Sequence, residues 1–416
     1  MNLFDCIRYA LSNTISLREF VDEEKKADIN IFQQKMQFAP KIEASIDNSY
    51  SMGFQQVFTE ESSGIYKTVQ SYSNSAYLSI TMSLWSVEAQ KSLINIGMID
   101  RMINNDKRQI AMFNIVKSVI EAFYSFQIAN EKVLEAEFNL KAQEEIIKIT
   151  KEQYKIGMKS YKDVLDVTSN LYQYKSSCII ESFNKKRSTF NLYNTMQFQG
   201  DSICIVSSDT IPVVPNFDEL VYISYKNSPS ILLYEHQLLK NKQLINSYYR
   251  SLFPSINLNY NLSTSAQIIL NNDNLSIFDQ WNNNFNQRVS ISISIPIFNK
   301  LNVYNSISKT RIESNTIQDR IISEKQKIYN DLKLIYEELK HDYEMYNLTQ
   351  EMLEITKKQE EIAKELYKLG SLPSYEYELC KQKLVIGKLQ LISTKYEYLY
   401  KLSVLYLYLE GVNFYD

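Results

Sequence analysis

The side chains able to hold a metal or attack a substrate are few and far apart. Cys6, Cys178, Cys204 and Cys380 are scattered, form no C-x-x-C pair and have only His236 and His341 as candidate companions. Zinc ligands come in closely spaced pairs, so this set predicts no metal site. Cys178 and Cys204 could bridge in an oxidising compartment; four free thiols are the alternative reading. There is no Gly-rich phosphate loop and no nucleophile motif. The sequence therefore predicts no enzyme, no cofactor and no metal.

Two short breaks hold the more informative residues. The first runs Tyr154-Lys155-Ile156-Gly157-Met158-Lys159-Ser160-Tyr161-Lys162-Asp163-Val164-Leu165, and the second Tyr367-Lys368-Leu369-Gly370-Ser371-Leu372-Pro373-Ser374-Tyr375-Glu376. Gly157 and Gly370 stand where a helix end needs a left-handed residue. Ser160 and Ser374 are placed to cap the helix that follows. Each break reads as a sharp reversal between helices.

Those helices are very long. Val87–Gly157 and Lys300–Gly370 are each 71 residues without proline, enough for about 105 Å of helix at ~1.5 Å per residue. Ile321, Ile328 and Ile335, offset by Leu332, Leu339, Tyr346 and Leu353, repeat in sevens, as do Tyr377, Leu384, Leu391, Tyr398 and Leu405. That period marks left-handed supercoiling. With Gly 8 and Pro 7 in 416 residues, the chain has too few turn-formers for many short elements.

The chain is also written twice. Phe4-Asp5 recurs as Phe217-Asp218, Pro40-Lys41-Ile42 as Pro254-Ser255-Ile256, Leu84-Trp85 as Ile297-Phe298, and Tyr154 to Gly157 as Tyr367 to Gly370, each 213 or 214 positions on. The expected organisation is a first repeat over 1–200, a linker over 201–215 carrying Pro212 and Pro215, and a second repeat over 216–416. Each repeat reads helix, strand, loop, strand, very long helix, break, helix.

Four segments alternate in period two: Ile42, Ala44 and Ile46; Leu78, Ile80, Met82 and Leu84; Ile256, Leu258, Tyr260 and Leu262; and Val289, Ile291, Ile293, Ile295 and Ile297. Their partners are polar, so each strand has one apolar and one polar face. A soluble sheet or a lipid-facing barrel would fit the pattern. A strand length of about 9–10 residues favours the barrel, as do polar loops expected over Ser51–Ala76 and Thr264–Arg288. Four strands cannot close alone, and open edges are prohibitive in lipid. Three copies would supply twelve strands around a wet lumen.

No stretch approaches the ~18–20 apolar residues of a spanning helix. Lys+Arg 45 against Asp+Glu 48, interspersed, carry no polyanion signature, so nucleic acid is not an expected partner. The start, Met1-Asn2-Leu3-Phe4-Asp5-Cys6, lacks a basic segment followed by an apolar one, so no secretory signal is read. That observation supports the rival reading, a soluble coiled-coil scaffold that binds partner helices.

The Y-x-x-G-x-x-S-Y-x-D-V-L pattern, the strand entry Phe253-Pro254-Ser255-Ile256 and the strand exit Ile295-Pro296-Ile297-Phe298-Asn299 resemble the TolC-like outer-membrane factor family. The resemblance spans nearly the whole chain and is duplicated. It implies an α+β membrane protein, a homotrimer with a twelve-stranded β-barrel in outer-membrane lipid and a long periplasmic α-barrel. It also implies a passive export duct of a tripartite efflux pump or type I secretion system, whose gated periplasmic tip docks an adaptor of an inner-membrane transporter. Carried over residue by residue, Tyr154 and Tyr367 match the aromatic before each tip glycine, Gly157 and Gly370. Asp163 and Glu376 match the acids six positions past them, which form a constriction and a cation-sensitive ring. The sequence departs from the pattern at Leu372, where a basic residue is usual, and at Pro373, which blurs the register of the second break. Ser86-Val87 and Asn299-Lys300 replace a glycine pair after the strand exits.

Overall fold

A computed structural model describes residues 1–59, 62–84, 87–198, 217–270 and 276–412. The expected linker 201–215, with Cys204, and the first strand-to-helix junction at Trp85-Ser86 lie outside them. The elements run α1 (Leu3–Asn13), α2 (Ile15–Met36), β1 (Lys41–Thr59), β2 (Ser62–Ser83), α3 (Val87–Lys155) and α4 (Tyr161–Met196). Then follow α5 (Phe217–Asn227), α6 (Pro229–Arg250), β3 (Ser255–Ile269), α7 (Ile277–Asn283), β4 (Asn286–Ser294), α8 (Asn302–Lys368) and α9 (Ser374–Glu410). The protein is mostly helical with one four-stranded antiparallel sheet in the order β1-β2-β3-β4. None of the described helices is long and apolar enough to cross a membrane. The chain forms two compact units, each drawing on both halves of the sequence: 1–22, 104–234 and 319–416 in one, 23–103 and 235–318 in the other.

In the second of these units, the strand register sorts residues by polarity over several successive rows, with Gln287 opposite Leu262 and Asn48 paired with Asn74 as polar members of the otherwise apolar face. Ile42, Ile80, Tyr260 and Val289 share one row. Met82, Leu258 and Ile291 form the row on one side of it, and Ala44, Leu78 and Leu262 lie on the other. The intervening rows are Lys41, Thr81, Asn259 and Ser290, then Glu43, Ser79, Asn261 and Arg288. Because side chains alternate across a sheet, this register gives one apolar and one polar face. Among the described residues nothing covers the apolar face of the edge strands: Ile42, Ile46, Val289, Ile291 and Ile293 are all more than 60% exposed.

Strand lengths depart from the sequence reading. β1 is 19 residues, β2 22 and β3 15, and only β4, at 9, has the expected length. Ser51–Ala76, expected as a loop, is mostly a continuation of the β1–β2 ribbon, paired as far as Thr59 and Ser62. Met52 and Phe54 carry the period-two alternation a little past Ser51, and backbone pairing with the adjacent strand holds the mostly polar remainder extended. The stretch expected as the second loop is part strand, up to Ile269, and part helix, α7, with β4 beginning at Asn286. β4 ends at Ser294, so Ile295 and Ile297 fall beyond it. Pro296 cannot donate to a ladder, which stops the strand there.

The first unit is helical and built around two related cores. In one, Cys6, Ile7 and Ala10 of α1 pack on Val116, Val119, Ile120 and Phe123 of α3. In the other, Leu220 of α5 packs on Ile328, Leu332 and Leu339 of α8. α9 supplies Leu407 to the first and Leu399, Leu402 and Leu405 to the second. Leu332, Leu339 and Leu405, singled out by heptad spacing, are all under 2% exposed. Cys6 is a buried free thiol, and burial pushes its pKa up to about 11. Cys178 and Cys380 are also free.

Candidate functional site

Both helical reversals fall in the helical unit and end their first helix in the same way. The Gly157 amide donates to the Tyr154 carbonyl and that of Met158 to Gln153. Gly370 donates to Tyr367 and Ser371 to Leu366. These are paired Schellman bonds, which require a left-handed residue at the turn. Gly157 and Gly370 supply it, with φ of 79° and 74°.

The restarts of the chain differ. Ser160 caps α4: its hydroxyl accepts from the Asp163 amide at 3.2 Å, and Asp163 reaches back to the Ser160 amide at 3.0 Å. This reciprocal capping box satisfies two amide donors at once. The corresponding cap expected at Ser374 does not form. Pro373 takes the N-cap position without a side-chain hydrogen bond, and Ser374 becomes the first helical residue. Both helices restart four residues after their glycine, so Pro373 stands where Ser160 does and Ser374 lies one position further into its helix. There it is buried, and its hydroxyl donates to Asp163 Oδ1 at 2.9 Å. Its link to the Tyr367 hydroxyl spans 3.4 Å.

Asp163 thus joins the two reversals. Burial opposes its charge, but the Ser160 hydroxyl and amide, the Ser374 hydroxyl and the nearby Lys159 ammonium outweigh that. Together they hold its carboxyl below the usual aspartate range. Lys159 itself donates to the Leu372 carbonyl at 2.7 Å and sits 4.8 Å from the centroid of the Tyr367 ring.

The two matched tyrosines have opposite surroundings. Tyr367 is fully buried, stacked on Tyr377 at 4.9 Å, and its hydroxyl is 2.6 Å from that of Thr150. Ile146, Val167 and Ala363 complete its pocket. Gln153 donates to the Tyr367 and Lys368 carbonyls at 3.2 and 3.0 Å, covering the end of α8. Tyr154 is 45% exposed, with Tyr161 as its aromatic neighbour at 5.8 Å. Glu376 is exposed in the first turn of α9 and has no hydrogen-bond or ion-pair partner among the described residues.

Of the six residues the sequence singled out, the fold therefore brings Gly157, Asp163, Tyr367 and Gly370 into one junction. A Cβ on Gly370 would meet the Met158 methyl at 2.8 Å, so the two turns touch. Tyr154 and Glu376 stay at the surface. The sequence reading missed Gln153, Thr150 and Lys159. Only Lys159 carried a signal, as a cation two positions past a turn glycine.

Residues 6–181 match the family described as outer membrane efflux protein. That match lies in the first half of the sequence. Over its whole length the chain also has the fold of TolC-like outer-membrane channels. It aligns with CusC, a protein described as forming a transmembrane channel, at 17% identity and a TM-score of 0.78, over 98% of this chain and 91% of that one. The CmeC outer membrane channel of Campylobacter jejuni aligns at 14% identity and 0.75, over 99% and 85%. The open-state MtrE outer membrane channel of Neisseria gonorrhoeae aligns at 15% and 0.75, over 98% and 89%. No curated protein matches the sequence. The TolC-like family and these neighbours are channels, not enzymes.

Proposed function

We propose that this protein is the outer-membrane exit duct of a tripartite efflux pump or type I secretion system, acting as a homotrimer whose periplasmic end is gated. The observation that carries the reading is the sheet. It has one uncovered apolar face, one face of Ser, Asn, Thr and charged residues, and two edges, β1 and β4, with no partner strand among the described residues. An apolar surface over 60% exposed at five residues is expensive in water, and open edges are expensive in lipid. Pairing β4 of one copy with β1 of the next removes both problems. Neighbouring strands are antiparallel throughout, so that pairing continues the alternation, and three copies give twelve strands.

The dimensions suit a bilayer. Along β2 the apolar face runs from Leu84 to Tyr72, which shares a row with Tyr50 and Ile268. Twelve residues at ~3.3 Å and a tilt of about 40° span roughly 30 Å, the thickness of the hydrocarbon core. Tyr50 and Tyr72 would stand at one interface, and Phe253 and Phe298, 65% and 76% exposed, near the other.

The helices support the same assembly. Leu165, Tyr172 and Ile179 on α4, with Phe183 and Phe190, form an exposed apolar stripe at spacings of seven. Leu348, Ile355 and Ile362 do the same on α8, with Leu334 two heptads before Leu348. Two unpartnered heptad seams on one chain fit a ring in which α4 of one copy meets α8 of the next. In this reading the halves 1–200 and 216–416 act as repeats that together supply one third of the wall.

The junction around Asp163 is the proposed gate and adaptor contact, formed by Tyr154, Gly157, Asp163, Tyr367, Gly370 and Glu376. An adaptor that binds the parted arrangement better than the packed one would open it. The duct itself is passive. Asp163→Asn and Glu376→Gln, measured by single-channel recording in planar bilayers, are expected to raise conductance and lower cation selectivity respectively. Unchanged values in both would remove the gate assignment. Cell fractionation tests the location, because a scaffold would be recovered in the cytosol.

A further inference from the structure

Seven residues into α9 lies a charge that the gate reading does not use. Lys381 is 4% exposed. Its ammonium donates to Gln143 Oε1 of α3 at 2.6 Å and sits 4.3 Å from the centroid of the Tyr174 ring of α4. Gln143, fully buried, donates its amide to the Val167 carbonyl of α4 at 3.2 Å. The Tyr174 hydroxyl donates to Glu378 of α9 at 2.8 Å, and that of Tyr377 to Glu360 of α8 at 3.0 Å. One lysine thus stands where four helices meet.

What faces it is largely neutral. α3 offers Gln143 and α4 offers Tyr174. The charged groups acting on it are Glu378 on its own helix and Glu360 and Lys364 on α8. No carboxylate forms an ion pair with it among the described residues. Glu378 and Glu360 instead receive the tyrosine hydroxyls. A buried ammonium held by one amide oxygen and an aromatic face is under-compensated for lost hydration. Glu135 and Lys388, two turns further along α3 and α9, show the alternative, a direct pair at 2.8 Å.

We propose that Lys381 is a built-in bias toward opening: its desolvated ammonium makes the packed arrangement of α3, α4, α8 and α9 metastable, and parting α9 from the α3–α4 hairpin is assisted by hydration of the charge. This rests on the gate reading above. Burial outweighs the acidic neighbours and lowers the Lys381 pKa to about 8. A base that binds its proton more weakly when packed than when hydrated takes up a proton on opening. The packed state therefore gains stability as pH rises from about 8 toward the ordinary lysine value of ~10.4, and the bias to open is at full strength below about 8. Burial raises the Tyr174 and Tyr377 hydroxyls out of this window.

The test uses the full chain in planar bilayers from pH 7 to pH 10. The wild-type ratio of open to closed time should fall by up to tenfold per pH unit above about 8. Lys381→Met should be less open at pH 7 and show no such step. Lys381→Arg, charged throughout, should stay open-biased at pH 10. A Lys381→Met channel that opens more readily, or keeps the alkaline step, overturns the proposal. Thermal unfolding of the helical signal in detergent gives a second readout. Lys381→Met should melt above wild type at pH 7, and the gap should close by pH 10. A melting gap without any change in opening overturns the link to the gate. If Asp163→Asn and Glu376→Gln are also silent in conductance, the failure lies in the gate reading; if they respond, it lies in Lys381.

Discussion

The two helical reversals begin from the same residues and reach opposite ends. Both place a tyrosine three positions before a left-handed glycine and close with the same pair of backbone hydrogen bonds. Yet Tyr367 is fully buried, while Tyr154 is 45% exposed. The restarts differ as well: Pro373, at the position Ser160 holds in the first turn, gives α9 an N-cap with no side-chain bond, and Ser374 turns inward to Asp163. The first turn caps itself and keeps an exposed face; the second is held from outside by Lys159, Gln153 and Asp163. The two turns share their backbone closure, and the fold uses one as a surface and the other as an anchor.

The largest expected difference is at the tyrosines. Tyr367→Ala empties a stacked, hydrogen-bonded pocket and should cost about 3–5 kcal/mol. Tyr154→Ala should cost under about 0.5 kcal/mol, as for other surface positions. Hydrogen exchange at the amides of the two turns measures both. Equal effects would erase the distinction.

Next come the glycines. Alanine at either must adopt positive φ, for about 1–2 kcal/mol. Gly157→Ala points into open space, whereas Gly370→Ala must also displace the Met158 methyl. The second should therefore be the more destabilising, though modestly, because a methionine end can yield.

The serines should separate by kind more than by size. Ser160→Ala removes a working cap, about 1 kcal/mol, and should fray the start of α4 in hydrogen exchange. Ser374→Ala should leave α9 unfrayed and release Asp163, raising its pKa toward the ordinary aspartate value.

The smallest effect is in acid. Because the folded pKa of Asp163 is depressed, the stability it contributes is present above the ordinary aspartate value and is lost as pH falls through the lower folded one. Asp163→Asn should abolish that acid-dependent loosening of the turns, read by limited proteolysis, because the variant already lacks the carboxylate's contribution at neutral pH. Asp163 is only half-buried, so salt should reduce the effect.

Much of this was legible in the sequence where pattern and physics coincide. Period-two alternation found the lower parts of all four strands, because an apolar face leaves that trace. The heptads found Leu332, Leu339 and Leu405, and the glycines marked both turns. Past Ser51 the alternation of Met52 and Phe54 gives way to mostly Ser, Gln and Thr, so a paired strand reads as a loop. Ser374 differs from the expectation because both serines precede a tyrosine just past a turn glycine, yet Pro373 and not Ser374 stands at the Ser160 position. Nothing local distinguishes Tyr154 from Tyr367; packing against Tyr377, seven residues beyond the second glycine, decides. Lys381 was invisible for a related reason, since its surroundings come from four helices far apart in sequence.

All of these comparisons depend on neighbouring copies completing the sheet. The direct test is disulfide trapping across the proposed seam, with one cysteine on β1 and one on β4 and the native cysteines removed, read beside the particle mass in detergent. The account predicts three chains per particle, covalently joined into a closed ring when the seam cysteines oxidise. A single-chain particle that is soluble without detergent, and whose seam cysteines never join two copies, would contradict it.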